Sequence, residues 1–139
     1  MNYTNLTIIV FSLLFSGCSG KIIEGRKLSK NTIKYIQELG ILNEEEKILY
    51  YYTSFNDKVS GNFVTEKRVA SYWLYEDNDI KSAYYNEIKS INIKYGDGFE
   101  FTSALVIELN DGTKFDVYFN GTKEEIDKLH KEVIQLWKK

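Results

Sequence analysis

The feature that most narrows the fold lies in the second half of the chain, where short strand-forming runs alternate with turns and one capped amphipathic helix follows. Residues 47–55 (KILYYYTSF), 62–65, 69–75, 80–85, 88–95, 101–109 and 114–119 are rich in Val, Ile, Tyr, Phe, Trp or Thr. Such side chains fit a pleated surface. Turn residues separate the runs, among them "GDG" at 96–98 and "NDGT" at 110–113. Asp111 and Gly112 are expected as the two central residues of a tight hairpin, both at positive φ. From Thr122 the period changes. Thr122 and Glu125 form the T-x-x-E capping box, and Ile126, Leu129, Val133, Leu136 and Trp137 recur at helical spacing, which predicts a helix over 122–138. A sheet of about seven short antiparallel strands removes its edges by rolling up, and the helix stripe then covers the open mouth. The expected class is α+β, mainly β: a small antiparallel barrel with a C-terminal capping helix.

A shorter helix is expected upstream, over residues 29–39. Ile33, Ile36 and Leu39 share a face, Ser29 or Asn31 can cap its start, and Gly40 suits the position just past its end. A helix this short persists only by packing on something else. Before it, residues 19–28 (SGKIIEGRKL) read as a tether, with Lys21, Arg26 and Lys27 against Glu24. Residues 43–46, ending in three consecutive glutamates, read as a solvated polar turn.

Composition excludes some function classes. The chain has 139 residues and a formal charge of −2 with both signs interspersed, unlike the basic excess of a nucleic-acid binder. It carries 11 Tyr, 8 Phe and no Pro. Its single cysteine excludes an intrachain disulfide, so the fold must be stable without one.

The order of elements resembles the pleckstrin-homology-like fold, in particular the bacterial PH-domain families. The resemblance rests on "FVTEKRVASYWLY" at residues 63–75, "YNEIKSINIKY" at 85–95, "VIELNDGTKFDVYF" at 106–119 and the capped helix. It places a PH-like barrel over residues 44–139, preceded by the helix region 29–43. Such domains as a group bind phosphoinositides, peptides or protein surfaces, the phosphoinositide binders through a basic cluster after the first strand. Here that loop is "NDKVSG", with Lys58 beside Asp57. Some members have no known ligand, and the resemblance implies that a phosphoinositide headgroup site is absent here.

The N-terminal run "LTIIVFSLLF" at residues 6–15 is too short to span a bilayer, which takes about 20 apolar residues, and fits a signal-peptide core. "FSGC" at 15–18 resembles the lipobox of bacterial lipoproteins. That resemblance implies cleavage after residue 17, a diacylglycerol and palmitate on Cys18, and residues 18–28 as the lipidated tether. It implies a cell-envelope location: the outer membrane where the organism has one, otherwise the outer face of the cytoplasmic membrane. The alternative for these residues is a buried helix with an ordinary buried cysteine, since free Cys packs as a small hydrophobe.

No constellation of catalytic or metal-ligating residues stands out. His130, the only histidine, sits at the edge of the helix stripe with no ligand partner at metal spacing, and is expected to be structural. Asp77 and Asp79 belong to a turn without the Gly and Glu of a calcium loop. No metal, no cofactor and no catalysis are expected. The tyrosines stand out more. Alternation sends Tyr51 to one face and Tyr50 and Tyr52 to the other, so at least one is expected to be partly exposed. Tyr72 and Tyr75, with Lys67 and Arg68 between the second and third strands, are the candidate contact residues; tyrosine is enriched in binding hot spots, and an acidic partner would meet the two cations. Their plainer reading is sheet packing and exposed turn charges. Two functions remain: a membrane-anchored, non-catalytic binding module for an envelope protein or peptide, or an immunity-type lipoprotein that neutralises a toxin or envelope enzyme.

Overall fold

The computed structural model describes residues 21–97 and 102–139. Cys18, the apolar run before it and Phe101 lie outside them. Among the described residues, eight strands form two antiparallel sheets. The first has the order β1 (Ile23–Glu24), β2 (Ile48–Tyr52), β3 (Ser60–Thr65), β4 (Arg68–Trp73) and β5 (Asp79–Tyr84). The second has β6 (Ile88–Lys94), β7 (Ser103–Leu109) and β8 (Lys114–Phe119). Helix α1 spans Lys30–Glu38 and α2 spans Lys123–Trp137.

Both helices start where their caps place them. Ser29 Oγ accepts the Thr32 N–H at 3.1 Å, and Gly40 ends the helix region at φ 76°, a conformation costly for a residue with a Cβ. Thr122 accepts the Glu125 N–H at 3.2 Å while the Glu125 carboxylate takes the Thr122 N–H at 2.8 Å, completing the expected capping box.

The central strands of the first sheet, β2 to β4, carry buried side chains on both faces, whereas the edge strand β5 is mostly exposed. On the outer face Tyr51, Phe63, Ala70 and Tyr72 pack under Ile36 of α1 and under Ile41 and Leu42. This is what the short helix needs in order to persist. On the inner face Tyr52, Val64, Val69 and Ala83 meet Leu105, Ile107, Val117 and Phe119 of the second sheet, and Ile126, Leu129 and Val133 of α2 close that core. Each fully buried Val, Leu, Ile or Phe contributes about 1.5–3 kcal/mol. A register shift between Ile48 and Tyr50 puts Ile48 on the outer face beside Tyr51, although three positions separate them.

Polar side chains tie the layers together. Tyr50 Oη donates to Glu132 of α2 at 2.5 Å, and Trp137 Nε1 donates to the Ile88 carbonyl at 3.1 Å. Asn62 Oδ1 accepts the Tyr118 N–H at 2.9 Å, so β3 meets β8 at one corner through a side chain and the barrel stays partly open there. Trp137 is half-buried at the rim of the core.

Several local expectations change. The segment expected as a tether contributes β1, whose Ile23 and Glu24 pair with Tyr51 and Tyr50; Gly25 permits this because a Cβ there would lie 1.6 Å from the Ile48 oxygen. The β7–β8 turn is one residue longer than a two-residue hairpin. Gly112 N–H bonds the Leu109 carbonyl at 3.0 Å, Gly112 alone takes positive φ (88°), and Asp111 instead accepts the Thr113 N–H at 2.8 Å. This is a three-residue loop closed by a left-handed glycine. The expectation for the tyrosine run holds: Tyr50 is partly exposed against α2, while Tyr51 and Tyr52 are buried on opposite faces.

The polar turn at 43–46 is also not uniformly solvated. Glu44 and Glu45 are exposed, but Glu46 is buried with Arg68. Arg68 Nε and Nη2 donate to Glu46 Oε1 and Oε2, each at 2.8 Å. Thr65 Oγ1 adds a bond at 2.6 Å, and the Arg68 guanidinium lies over the Tyr84 ring at 4.2 Å. Arg68 is therefore an interior ion-pair partner and not an exposed turn charge.

Candidate binding groove

Where the two sheets diverge, the inner face of the first sheet runs past the core and becomes a wall. Val69 and Ala83 face the core, and the next inward positions, Ser71 and Trp73 on β4 with Lys81 and Asp79 on β5, lie opposite one another in register. Ser60 and Asn62 of β3 continue the same face, paired with Trp73 and Ser71. The other wall is β8 from Lys114 to Tyr118. Between them lies an open groove of about 610 Å³.

Trp73 links the groove to an exposed aromatic patch. Its ring meets Phe55 edge-on at 5.9 Å between centroids and Tyr75 at 6.2 Å. Phe55 is 70 % and Tyr75 68 % exposed, against 39 % for Trp73, so the outer two rings are supported on one side only. Tyr118 stands on the β8 side, 43 % exposed. Phe55 and Tyr75 from loops, with Trp73 at the end of β4, make a contiguous apolar surface that single scattered residues do not make.

Charge in the groove is balanced. Lys81 pairs with Asp79 at 2.8 Å, and Lys114 lies 3.6 Å from Glu108, whose carboxyl the nearby lysines hold below its usual range. Below the floor, Tyr51 and Tyr72 exchange a hydrogen bond at 3.1 Å, and Tyr72 Oη donates to the Asp57 carbonyl at 2.5 Å. Burial pushes the Tyr51 hydroxyl up to about 12 and raises that of Tyr72 as well, so both remain protonated donors at neutral pH. Thr32 and Tyr35 of α1 bond Asp57 Oδ2 at 2.6 Å and the Lys58 carbonyl at 3.0 Å. These bonds hold the β2–β3 loop that carries Phe55. Among the described residues no three His, Cys, Asp or Glu side chains gather as a metal site.

The four candidate contact residues are not brought together. Tyr75 belongs to the aromatic patch, but Tyr72 points the other way, 1 % exposed, and contributes to the outer core. Lys67 and Arg68 are at the opposite end of β4 from Trp73; Lys67 is exposed beside Glu66 and Tyr84, and Arg68 is buried. His130 is half-buried on α2, its Nε2 without a hydrogen-bond partner among the described residues. Cys18 lies outside the described residues. Phe55 and Tyr118 had no sequence signal beyond being aromatic near a strand end. Trp73 had a better one, the uncommon Trp at the end of a strand beside two tyrosines.

The sequence matches no family model, and no curated protein is a significant match. Solved structures do match. A PH-domain-containing bacterial protein from Exiguobacterium sibiricum superposes with a TM-score of 0.55 at 14 % identity, over 86 % of this chain and 62 % of that one. A DUF1696-family protein with a pleckstrin-homology domain from Shewanella loihica gives 0.53 at 17 % identity, over 85 % of this chain and 98 % of that one. The chain thus spans less than two thirds of the first protein's length. At these identities the likeness establishes the fold, which is pleckstrin-homology-like.

Proposed function

We propose that this chain is a membrane-anchored lipoprotein whose PH-like domain is a non-catalytic module binding a protein or peptide at the cell envelope. The observation that carries the binding reading is the charge-balanced groove continuous with the rings of Phe55, Trp73 and Tyr75. Rigid aromatic surface gives contact area at low entropic cost. A polyphosphate headgroup needs excess positive charge, and the groove's lysines are matched by Asp79, Glu108 and Asp116. The buried tyrosines beneath it are protonated and hydrogen-bonded, a supporting floor with no activated nucleophile.

The anchor belongs to the same proposal and rests on the short apolar run ending at Cys18. It would concentrate the groove near other envelope proteins, where a weak interface suffices. Its test is labelled palmitate with membrane fractionation of the wild type and Cys18→Ser. Incorporation abolished by the substitution supports it; an unlabelled wild type ends it. The binding reading is tested by crosslinking in intact envelopes against flotation with phosphoinositide vesicles. A crosslinked partner lost on Trp73→Ala, with the thermal melt unchanged, is the expected result. Specific flotation with no partner would overturn it.

A further inference from the structure

Among the described residues, strand β8 has a strand neighbour on one side only. Opposite pairs in an antiparallel ladder alternate between those that exchange hydrogen bonds and those that do not. The Leu109 N–H to Thr113 carbonyl bond at 2.8 Å fixes which is which. Counting along the register from it, Phe115, Val117 and Phe119 direct their N–H and C=O groups at β7, opposite Ile107, Leu105 and Ser103. Lys114, Asp116 and Tyr118 therefore direct theirs away from β7. The Tyr118 N–H bears this out, because it donates to Asn62 across the corner. Among the described residues no backbone or side-chain group takes the outward N–H or C=O of Lys114 or Asp116. Those groups border the groove whose far wall holds Ser71, Trp73 and Lys81.

We infer that the groove receives an extended peptide segment of a partner protein, which adds as a strand to the Lys114–Asp116 edge of β8. The inference deepens the protein- or peptide-binding reading and rests on it. Unpaired main-chain donors and acceptors in strand geometry are complementary to another strand and to little else. Asn62 occupies the next outward N–H, so the edge stops at the corner and the contact is short. A short ladder needs side-chain anchors, and Trp73 on one wall and Tyr118 at the end of the other provide them. The balance of Asp79 with Lys81 and of Lys114 with Asp116 suits a polypeptide of low net charge.

The probe is a phage-displayed library of short random peptides panned on the protein, followed by synthesis of the best binder. The expected result is a peptide whose binding raises hydrogen-exchange protection at the Asp116 amide. Asp116→Pro removes that outward N–H without touching a β7 bond and should weaken the peptide at least about tenfold. Because this variant can also perturb the strand, the peptide is varied too. N-methylation at alternate positions should abolish binding in one parity and spare the other, as only one set of amides faces β8. A selected peptide that needs Trp73 but ignores both Asp116→Pro and the parity of N-methylation would overturn strand addition and leave groove binding standing. Failure to select any Trp73-dependent peptide would overturn both. Concentration-dependent self-association lost in Asp116→Pro would assign the edge to a second copy of the chain and also overturn the inference.

Discussion

Arg68 and Glu46, 22 positions apart in the chain, meet in a two-point contact inside the protein, with side-chain exposures of 6 % and 0 %. Burial alone would favour the neutral acid. The hydrogen bonds from Arg68 and Thr65, the Asn43 N–H and the guanidinium charge outweigh it and hold the Glu46 carboxyl below its ordinary range. Removing one partner leaves the other charge buried without compensation, so Glu46→Ala should cost about 3–5 kcal/mol in a denaturant melt.

The same pair sets an acid response. A carboxyl depressed in the folded state contributes stability above its unfolded-state pKa, and that contribution is lost as pH falls through the folded value. Thermal melts of the wild type and Glu46→Gln between neutral and acidic pH should show the variant less stable near neutrality. The gap should narrow as pH drops below the ordinary glutamate range. A constant gap would mean that the charge on Glu46 does not matter.

Gly61 lies against the Tyr72 ring, where an added Cβ would fall 2.4 Å from its carbons. The ring cannot swing aside without breaking the bond its hydroxyl donates to the Asp57 carbonyl and the one it shares with the Tyr51 hydroxyl. Gly61→Ala should destabilise by about 1–3 kcal/mol. In a double-mutant cycle with Tyr72→Ala the two costs should be less than additive, since truncation vacates the space.

Within α2, position in the core decides the cost of truncation. Leu129 is 1 % exposed at the centre of the inner core, whereas Trp137 lies at its rim with one hydrogen bond to Ile88. Leu129→Ala should lose about 2–5 kcal/mol, and Trp137→Ala less, despite its larger side chain. Urea melts of the two variants order them directly.

The aromatic patch should separate binding from folding. Phe55→Ser and Tyr75→Ser each change an exposed ring, so the melting free energy should stay within about 0.5 kcal/mol of wild type. Trp137→Phe leaves Trp73 as the single tryptophan, and its emission should shift when a groove peptide binds. Unchanged emission with bound peptide would place the contact elsewhere.

Elements carried by local chemistry were legible in the sequence. The Thr122–Glu125 box starts α2, Ser29 and Gly40 bound α1, and β8 spans residues 114–119 as its alternation predicts. What was missed depends on distant neighbours. No local pattern shows that Glu46 rather than Glu44 or Glu45 turns inward, because Arg68 decides that. Period two assigns Tyr72 to a face but does not say that α1 covers it. The two-residue strand Ile23–Glu24 exists only because β2 offers it an edge. The groove was the least legible part, since Trp73 and Tyr118 come from different sheets and line one groove only because the sheets join at Asn62.

That corner also has a consequence for folding kinetics. Strands β2 to β5 are a meander of sequence neighbours, and each hairpin can form as the chain collapses. The Asn62–Tyr118 contact spans 56 positions and joins the two sheets. Closing so long a loop costs more entropy than closing the local hairpins, so the contact is expected to form late, after the transition state has gathered its local contacts. Asn62→Ala should then accelerate unfolding while leaving the refolding limb of the chevron almost unmoved. Until the last third of the chain is available, the first sheet has no partner for its inner face, and its Val64, Val69 and Ala83 remain open to any other apolar surface they meet.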